Sequence, residues 1–369
     1  MKISSTSAEL LTQLQTATRV ASTRSAVQAL SGVMIAATDD GCELLATDME
    51  VGLRMPLKAE VSRPGSAVLP ARLLLDVARS LSAEQLTMEL RAAEQDIELI
   101  CGATTFHLRT LRAEDFPTLP SPADDSRVEL PAQAFVETIS RVARSASRDE
   151  TRPVLTGILI SAAGQELRMV ATDSYRLSVK ETALQAPIEG TLEANVPARA
   201  LQELARIEQQ AGADTVAVSV GQNQAIFELG DVVLSSRLID GQFPNYRQLL
   251  PESVEHELRL ASAELTDVVR RISLLAQKNA PLRLSFTEGT LSVSAQTPDV
   301  GEASEAIPVP YHGEQFEIGF NPEFLRDGLE SIDTDELVLK LISPLRPGLI
   351  ESPETGDFVY LIMPIRLNV

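Results

Sequence analysis

The amino-acid sequence predicts an α+β protein made of three tandem domains, and three observations carry that prediction. A motif recurs: Leu69-Pro70-Ala71-Arg72-Leu73-Leu74-Leu75-Asp76-Val77 returns as Val196-Pro197-Ala198-Arg199-Ala200-Leu201-Gln202-Glu203-Leu204, and more faintly as Phe320-Asn321-Pro322-Glu323-Phe324-Leu325-Arg326-Asp327-Gly328. The spacing is constant. Ala46-Thr47-Asp48 recurs as Ala171-Thr172-Asp173 and Asp115-Phe116-Pro117 as Gln242-Phe243-Pro244, all at offsets of 125 to 127 residues, close to one third of the 369-residue chain. Each third also runs through the same order of helical and strand patterns. A period of that length is a whole small domain rather than a solenoid unit.

Each third opens on an amphipathic stretch: Ser7 to Val20, Pro131 to Ser147, and Ser262 to Gln277. Leu10, Leu14 and Ala17, like Leu265, Val268, Val269 and Ile272, fall at helical spacing. Pro131 suits a first helical turn, and Ser262 is placed as an N-cap. Short alternating strands follow, such as Gly157–Ser161 and Leu291–Ala295. Turn signals divide them at Asp39-Asp40-Gly41, Ala163-Gly164-Gln165 and Glu288-Gly289. A second helix begins at the repeated motif, with Pro70, Pro197 and Pro322 at its start. More strands close the unit, and the linkers are Pro117 to Pro122 and Pro244 to Pro251. Two helices and roughly eight strands per domain, helices to one side of the sheet, form an α+β layer arrangement. The expected domains are residues 1–125, 126–252 and 253–369.

Aromatic residues make up 4% of the chain and Trp is absent, so the cores must rest on Leu, Val, Ile and Ala. No stretch approaches the length of a membrane helix and the N-terminus lacks a signal-peptide core, which predicts a cytoplasmic protein. Cys42 and Cys101 are read as buried thiols, with no disulfide framework and no metal site. The net charge of −20 opposes nucleic-acid binding only if charge is evenly spread. It is not. Arg19, Arg24, Arg72, Arg79, Arg141, Arg144, Arg148, Arg199, Arg206, Arg270, Arg271, Lys278 and Arg326 lie on the helices and their flanks, 13 of 32 basic residues. Acidic runs lie elsewhere, as at Glu252 to Glu257 and Asp333 to Glu336. The competing reading is a set of solvated faces of mixed charge, since Glu137, Glu203, Asp267 and Asp327 share those helices.

Three further motifs are Ala171-Thr172-Asp173-Ser174-Tyr175-Arg176-Leu177-Ser178, Asp240-Gly241-Gln242-Phe243-Pro244-Asn245-Tyr246, and the terminal Tyr360-Leu361-Ile362-Met363-Pro364-Ile365-Arg366-Leu367. With the threefold repeat, they make the whole chain resemble the bacterial sliding clamp, the beta subunit of DNA polymerase III. The resemblance implies clamp-type domains and a head-to-tail homodimer closed into a six-domain ring around duplex DNA. Helices would line the hole and strands the rim. Arginines facing phosphates hold DNA without reading bases, so the ring slides and tethers a polymerase. The implied function is processivity in DNA replication. Implied partners are the replicative polymerase's catalytic subunit, the clamp loader, other polymerases and repair proteins, with no cofactor and no membrane.

The resemblance also assigns residues. The partner-peptide pocket would be built from Leu155, Thr172, Ser174, Tyr175, Arg176, Leu177, Pro244, Leu249, Asn321, Phe324, Leu345, Met363, Pro364, Ile365, Arg366 and Leu367. An extended backbone with apolar anchors suits such a site, and Met supplies an adaptable wall. Ordinary core packing competes for Leu155, Leu177 and Ile365. Ser174-Tyr175 stands where relatives often carry Gly-His, and Asn368-Val369 extends the usual end. Arg24, Arg148 and Arg152 in loops, with Arg72, Arg79, Arg141, Arg144, Arg199 and Arg206, would face DNA. The dimer interface would pair the Thr105–Arg109 stretch, with Phe106, Leu108 and Arg109, against Ile272, Leu274 and Leu275, while Glu302 and Glu305 pair with Arg109.

An enzyme reading finds little. There is no Gly-rich phosphate loop, and His107, His256 and His312 are scattered. Thr172-Asp173-Ser174 has no nearby His, and its repetition as Ala46-Thr47-Asp48 points to turn chemistry. Nucleotidyl transfer would belong to the catalytic subunit of the holoenzyme. A three-domain protein-binding scaffold that never closes on DNA is the alternative from another class.

Overall fold

Twenty-five strands and six α-helices are placed by the computed structural model, which describes residues 1–122, 127–251, 253–276, 280–353 and 356–367. Lys278, Gln277 and the Asn368-Val369 extension lie outside the described residues. The helices are α1 Ser7–Val20, α2 Ala71–Ser80, α3 Ala132–Val142, α4 Ala198–Ala211, α5 Ser262–Ile272 and α6 Pro322–Leu329. Each third thus holds two helices.

Local chemistry sets the helix starts. Thr6 caps α1 by accepting from the Glu9 N–H at 3.1 Å. Asn321 caps α6, its side-chain oxygen accepting from Glu323 and Phe324 N–H at 2.9 and 3.2 Å. The three prolines of the repeated motif are therefore not equivalent. Pro70 is the N-cap of α2 and Pro197 ends the strand before α4, whereas Pro322 lies one step inside α6. Pro131 likewise ends a strand, and Ser262 is the first residue of α5 rather than its cap. The predicted second-domain helix shortens: α3 stops at Val142 and a 3-10 turn continues to Ser145.

The chain gathers into two compact units, Met1–Gln133 with Glu203–Leu238, and Ala134–Gln202 with Ile239–Val369. The first unit contains an eight-stranded antiparallel sheet. Its order is Arg127–Pro131, Thr215–Val220, Gln224–Leu229, Val232–Arg237, Val51–Pro56, Gly41–Thr47, Gly32–Thr38, Gly65–Pro70. Four strands come from the central third and four from the first. At their seam Leu234 lies opposite Leu53 and Ser235 opposite Gly52. The second unit repeats this plan with His256–Ala261, Glu336–Leu341, Gly348–Glu351, Phe358–Ile362, Arg176–Ala183, Glu166–Thr172, Gly157–Ala163, Thr191–Pro197. There Tyr360 lies opposite Ser178 and Leu361 opposite Leu177.

Two smaller sheets remain. The first unit's five-stranded sheet ends on the edge strand Thr104–Arg109, and the second unit's four-stranded sheet ends on the edge strand Gly301–Pro308. By order along the repeat, Thr104–Arg109 matches Val232–Arg237 and Phe358–Ile362, the strands that form the seams. Gly301–Pro308 matches their partners Val51–Pro56 and Arg176–Ala183. The seam pairing made twice is thus left unmade once, and both of its halves are open edges with unpaired backbone groups.

The interior follows the period-two pattern. In the second unit, Leu282, Leu284, Phe286, Leu291 and Val293 are fully buried beside Val268, Val269 and Leu325 from the helices. Phe286, Phe316 and Tyr311 cluster there, with ring centroids 5.5 to 6.0 Å apart from Phe286. Burial of such side chains contributes about 1.5–3 kcal/mol each. Cys42 and Cys101 are free and buried, as expected.

Candidate functional site

At the seam of the second unit's large sheet, the turn Thr172–Arg176 is held by its own side chains and by the Asp173 N–H donating to the Arg176 carbonyl at 3.3 Å. The Thr172 hydroxyl donates to the Arg176 carbonyl at 2.7 Å. Asp173 Oδ1 accepts from the Tyr175 and Arg176 N–H groups at 2.9 and 3.0 Å. Ser174 takes the left-handed conformation at φ 79°, a strained choice for a residue with a side chain. The repeated Asp is turn chemistry: Asp48 makes the same bonds to Glu50 and Val51 at 3.0 and 2.8 Å.

That turn sends two neighbours in opposite directions. Tyr175 points outward and is 58% exposed. Arg176 folds under and is 5% exposed. Its guanidinium donates to Asp173 Oδ2 at 3.0 Å and to Asp327 Oδ2 at 2.6 Å, and lies 4.3 Å from the centre of the Phe324 ring. Burial opposes its charge, but Tyr360, Asp327 and Asp173 outweigh that penalty and hold its pKa above the ordinary arginine value. Burial pushes the Tyr360 hydroxyl up, and Arg176 pulls it only partly back. Tyr360 donates to the Phe324 carbonyl at 2.7 Å. The Tyr175 ring stacks on Phe324 with centroids 6.4 Å apart and planes at 29°.

The C-terminal segment closes one side. The Met363 N–H donates to the Tyr175 carbonyl at 2.8 Å and the Ile365 N–H to Gly319 at 2.7 Å. Gly319 has to be glycine, because a Cβ there would sit 2.8 Å from the Ile365 carbonyl oxygen. Terminal residues fray unless tied down; these are tied. Around this frame Met363, Leu345 and Leu249 are 40, 62 and 50% exposed. Pro244 and Arg366 are exposed, and Pro364 is half-buried. Large exposed apolar side chains of this kind mark a candidate interaction surface.

The site residues therefore divide. Tyr175, Pro244, Leu249, Leu345, Met363 and Arg366 offer surface. Thr172, Arg176 and Leu177 are buried, as is Leu155. Ser174, Asn321 and Phe324 set the turn, the helix cap and the aromatic layer. Asp327 and Tyr360 hold Arg176 in place, and sequence reasoning missed that role. One signal was available: an acid recurs at this step of every second helix, as Asp76, Glu203 and Asp327.

Several of the arginines expected to face DNA are engaged by carboxylates of the chain itself. Arg141 is only 19% exposed and binds Asp333 at 2.6 Å and the Ser331 carbonyl at 3.1 Å. Arg144 binds Asp327 at 3.3 Å and Glu330 at 2.6 Å. Burial raises the Glu330 pKa, but hydrogen bonds from Arg144 and Arg270 bring it below the ordinary carboxylate value. These arginines clasp α3 and its 3-10 turn to α6. The first unit has the same clasp: Glu203, 7% exposed, takes Arg19 at 2.7 Å and Arg206 at 2.9 Å. Counted from their helix starts, Arg19 and Arg144 occupy one position, and Glu203 and Asp327 another. Arg24, Arg72, Arg148 and Arg199 are exposed, Arg148 to 90% and 3.8 Å from Glu323. Arg79 pairs with Asp76 at 3.3 Å, and Arg152 with Asp149 at 3.3 Å.

The residues assigned to an interface are also sorted. Phe106 is half-buried and Leu108 buried on the free edge strand. Leu274 is 75% exposed and Leu275 half-buried. Ile272, at 4%, belongs to the interior and offers no surface. Glu305 is held by Arg271 at 2.6 and 3.0 Å, and Arg109 donates to the Glu94 carbonyl. The expected pairing of Arg109 with Glu305 thus meets partners already engaged. Among the described residues no cluster of His, Cys, Asp and Glu has the makings of a metal site.

Residues 1–120, 129–245 and 247–366 match the N-terminal, central and C-terminal domain families of the DNA polymerase III beta subunit. The chain is 33% identical to the Beta sliding clamp of Synechococcus elongatus over 377 residues, spanning all of both chains. The crystal structure of the DNA polymerase sliding clamp from Bacillus subtilis aligns over all of both chains with a TM-score of 0.90 at 27% identity. That of a sliding clamp from Pseudomonas aeruginosa bound to griselimycin aligns over the same extent with a TM-score of 0.89 at 29% identity.

Proposed function

The chain belongs to the DNA polymerase III beta subunit family, the bacterial sliding clamps, and from that premise we propose that two copies close head to tail into a six-domain ring that encircles duplex DNA and tethers a polymerase. The three domains are residues 1–125, 126–252 and 253–369. The observation that carries the ring is the seam left unmade. Thr104–Arg109 of one copy and Gly301–Pro308 of the other supply the two strands that every intrachain seam contains.

The repeat also supplies the register. The hairpin turns at Gly102 and Gly230 are both left-handed, at φ 60° and 58°, so Phe106 corresponds to Leu234. Thr47, Thr172 and Thr297 precede left-handed residues Met49, Ser174 and Asp299. Thr297 faces Gly301 as Thr47 faces Gly52 and Thr172 faces Leu177. Transferring the two observed seams sets Phe106 opposite Glu302, Thr105 opposite Ala303 and Thr104 opposite Ser304. Leu274 occupies the position of the clasp arginines Arg19 and Arg144, while Asp76 occupies that of Glu203 and Asp327. The junction between copies therefore sets a leucine against Asp76 where the internal junctions have an arginine–carboxylate pair. The arginine–carboxylate clasp of the internal junctions is thus missing from this one, which suits the place where a ring must open.

Arg24, Arg72, Arg148, Arg152, Arg199 and their neighbours would meet phosphates, while the net charge of −20 keeps DNA off other surfaces. The ring needs no base contacts, no cofactor and no catalysis of its own. The surface around Tyr175 and Met363 would take short peptides of the polymerase catalytic subunit, the clamp loader and repair proteins. A cytoplasmic location fits DNA replication, and no helix among the described residues is long and apolar enough to cross a membrane. The test is topological. Protein loaded onto a nicked circular plasmid should stay bound through a 1 M salt wash and leave once the circle is linearised. Equal loss from circle and line would refute encirclement.

A further inference from the structure

The turn frame of the peptide pocket exists a second time, in the first unit, and there it borders a cavity. Thr47 donates to the Val51 carbonyl at 2.7 Å, as Thr172 does to Arg176. The Arg237 N–H donates to the Glu50 carbonyl at 2.8 Å, as Met363 does to Tyr175. Met49 is left-handed at φ 78°, Ser174 at 79°. Pro117 follows Phe116 as Pro244 follows Phe243. The frame is the same, but its walls are not. Glu50 stands in the place of Tyr175, Arg237 in that of Met363, and Gly52 in that of Leu177.

The lining of a cavity of about 110 Å³ includes the buried Thr47, Gly52, Ser235 and Ser236, the apolar Leu119 and Pro120, and both Glu50 and Arg237. Glu50 and Arg237 are exposed. Among the described residues neither side chain is engaged in an ion pair. Met49, 56% exposed, adds one apolar flank. A Cβ on Gly52 would meet Ser235 Oγ at 2.6 Å and Leu119 Cδ2 at 3.1 Å, so glycine keeps the floor open.

We propose that this is a second docking site, for an extended peptide of a partner protein that carries an acidic and a basic side chain on either side of a hydroxyl or amide residue. Arg237 takes the acid, Glu50 the base, and the residue between enters the hydroxyl-lined cavity. The site selects charge where the pocket around Tyr175 selects apolar anchors, so one ring presents two peptide specificities. The assignment to peptides rests on the reading of the Tyr175 pocket.

The test uses the full chain with that pocket disabled (Tyr175→Ala, Met363→Ala), panned against a displayed library of random octapeptides. Recovered peptides are titrated by fluorescence polarisation against wild type, Tyr175→Ala, Glu50→Arg and Arg237→Glu. Both charge reversals fall on exposed side chains, and circular dichroism checks their folding. Expected are peptides of both charges that lose at least tenfold in affinity with Glu50→Arg or Arg237→Glu and are unaffected by Tyr175→Ala. Recovery of no binder, or of binders indifferent to both reversals, would overturn the second site. A parallel pan of wild type reads the first pocket separately: its apolar peptides should fail on Tyr175→Ala.

Discussion

Asp327→Ala is expected to destabilise the second unit by about 3–5 kcal/mol, the usual result of removing one partner from a buried ion pair. The carboxylate receives Arg176 at 2.6 Å and Arg144 at 3.3 Å. Without it, Arg176 keeps Asp173 as its carboxylate partner while being only 5% exposed. Because Arg176 lies under Phe324, which in turn carries Tyr175, the same change should loosen the pocket wall and weaken peptide binding. Arg176→Met combined with Asp327→Leu and Asp173→Asn removes these three charges and should recover most of the stability, since neutral groups of similar volume replace an ionic network at little cost. Urea titrations of the three proteins decide it. A loss under about 1 kcal/mol for Asp327→Ala would mean the network is a surface-grade contact.

The second large effect concerns assembly. Leu274→Glu, or Phe106→Glu, should convert the dimer to monomer, raising the dissociation constant at least 100-fold, about 2.7 kcal/mol. Leu274 is 75% exposed in the single chain, so its replacement removes no core packing. A carboxylate in its place would be buried unpaired at the seam. Sedimentation velocity reads the mass, and an unchanged thermal melt shows the domains intact. A dimer of wild-type strength in both variants would place the interface elsewhere. Monomers should also lose salt-resistant retention on circles.

Much of the fold was legible in the sequence because a repeat compares the chain with itself. Pro70, Pro197 and the Asp48 and Asp173 turns mark strand ends and helix starts by backbone chemistry alone. The third copy misled by one residue. Asn321, not Pro322, takes the place of Pro197, because an Asn cap and a first-turn proline satisfy the helix start as well as a proline cap. Leu249, Leu345 and Met363 were recoverable from motifs, and they are exposed. The direction of Arg176 was not. Outward Tyr175 and inward Arg176 are adjacent letters, and only the left-handed Ser174 and a carboxylate 151 positions away decide which is buried. The carboxylate partners of Arg141 and Arg144 were hidden for the same reason. A basic residue on a helix faces either phosphate or a neighbouring carboxylate, and the sequence does not say what packs beside it.

The central claim is that one missing seam joins two copies. It is tested most directly by Thr104→Cys with Ser304→Cys in one chain, treated with a short bismaleimide. The native thiols interfere little, since burial raises Cys42 to about 11 and Cys101 is 3% exposed. The register predicts a covalent dimer linked at both junctions, which stays on a nicked circle through denaturing detergent. Thr104→Cys with Glu302→Cys, two residues out of register, should link far less. Efficient linkage in neither pair, with the protein still dimeric, would contradict the account.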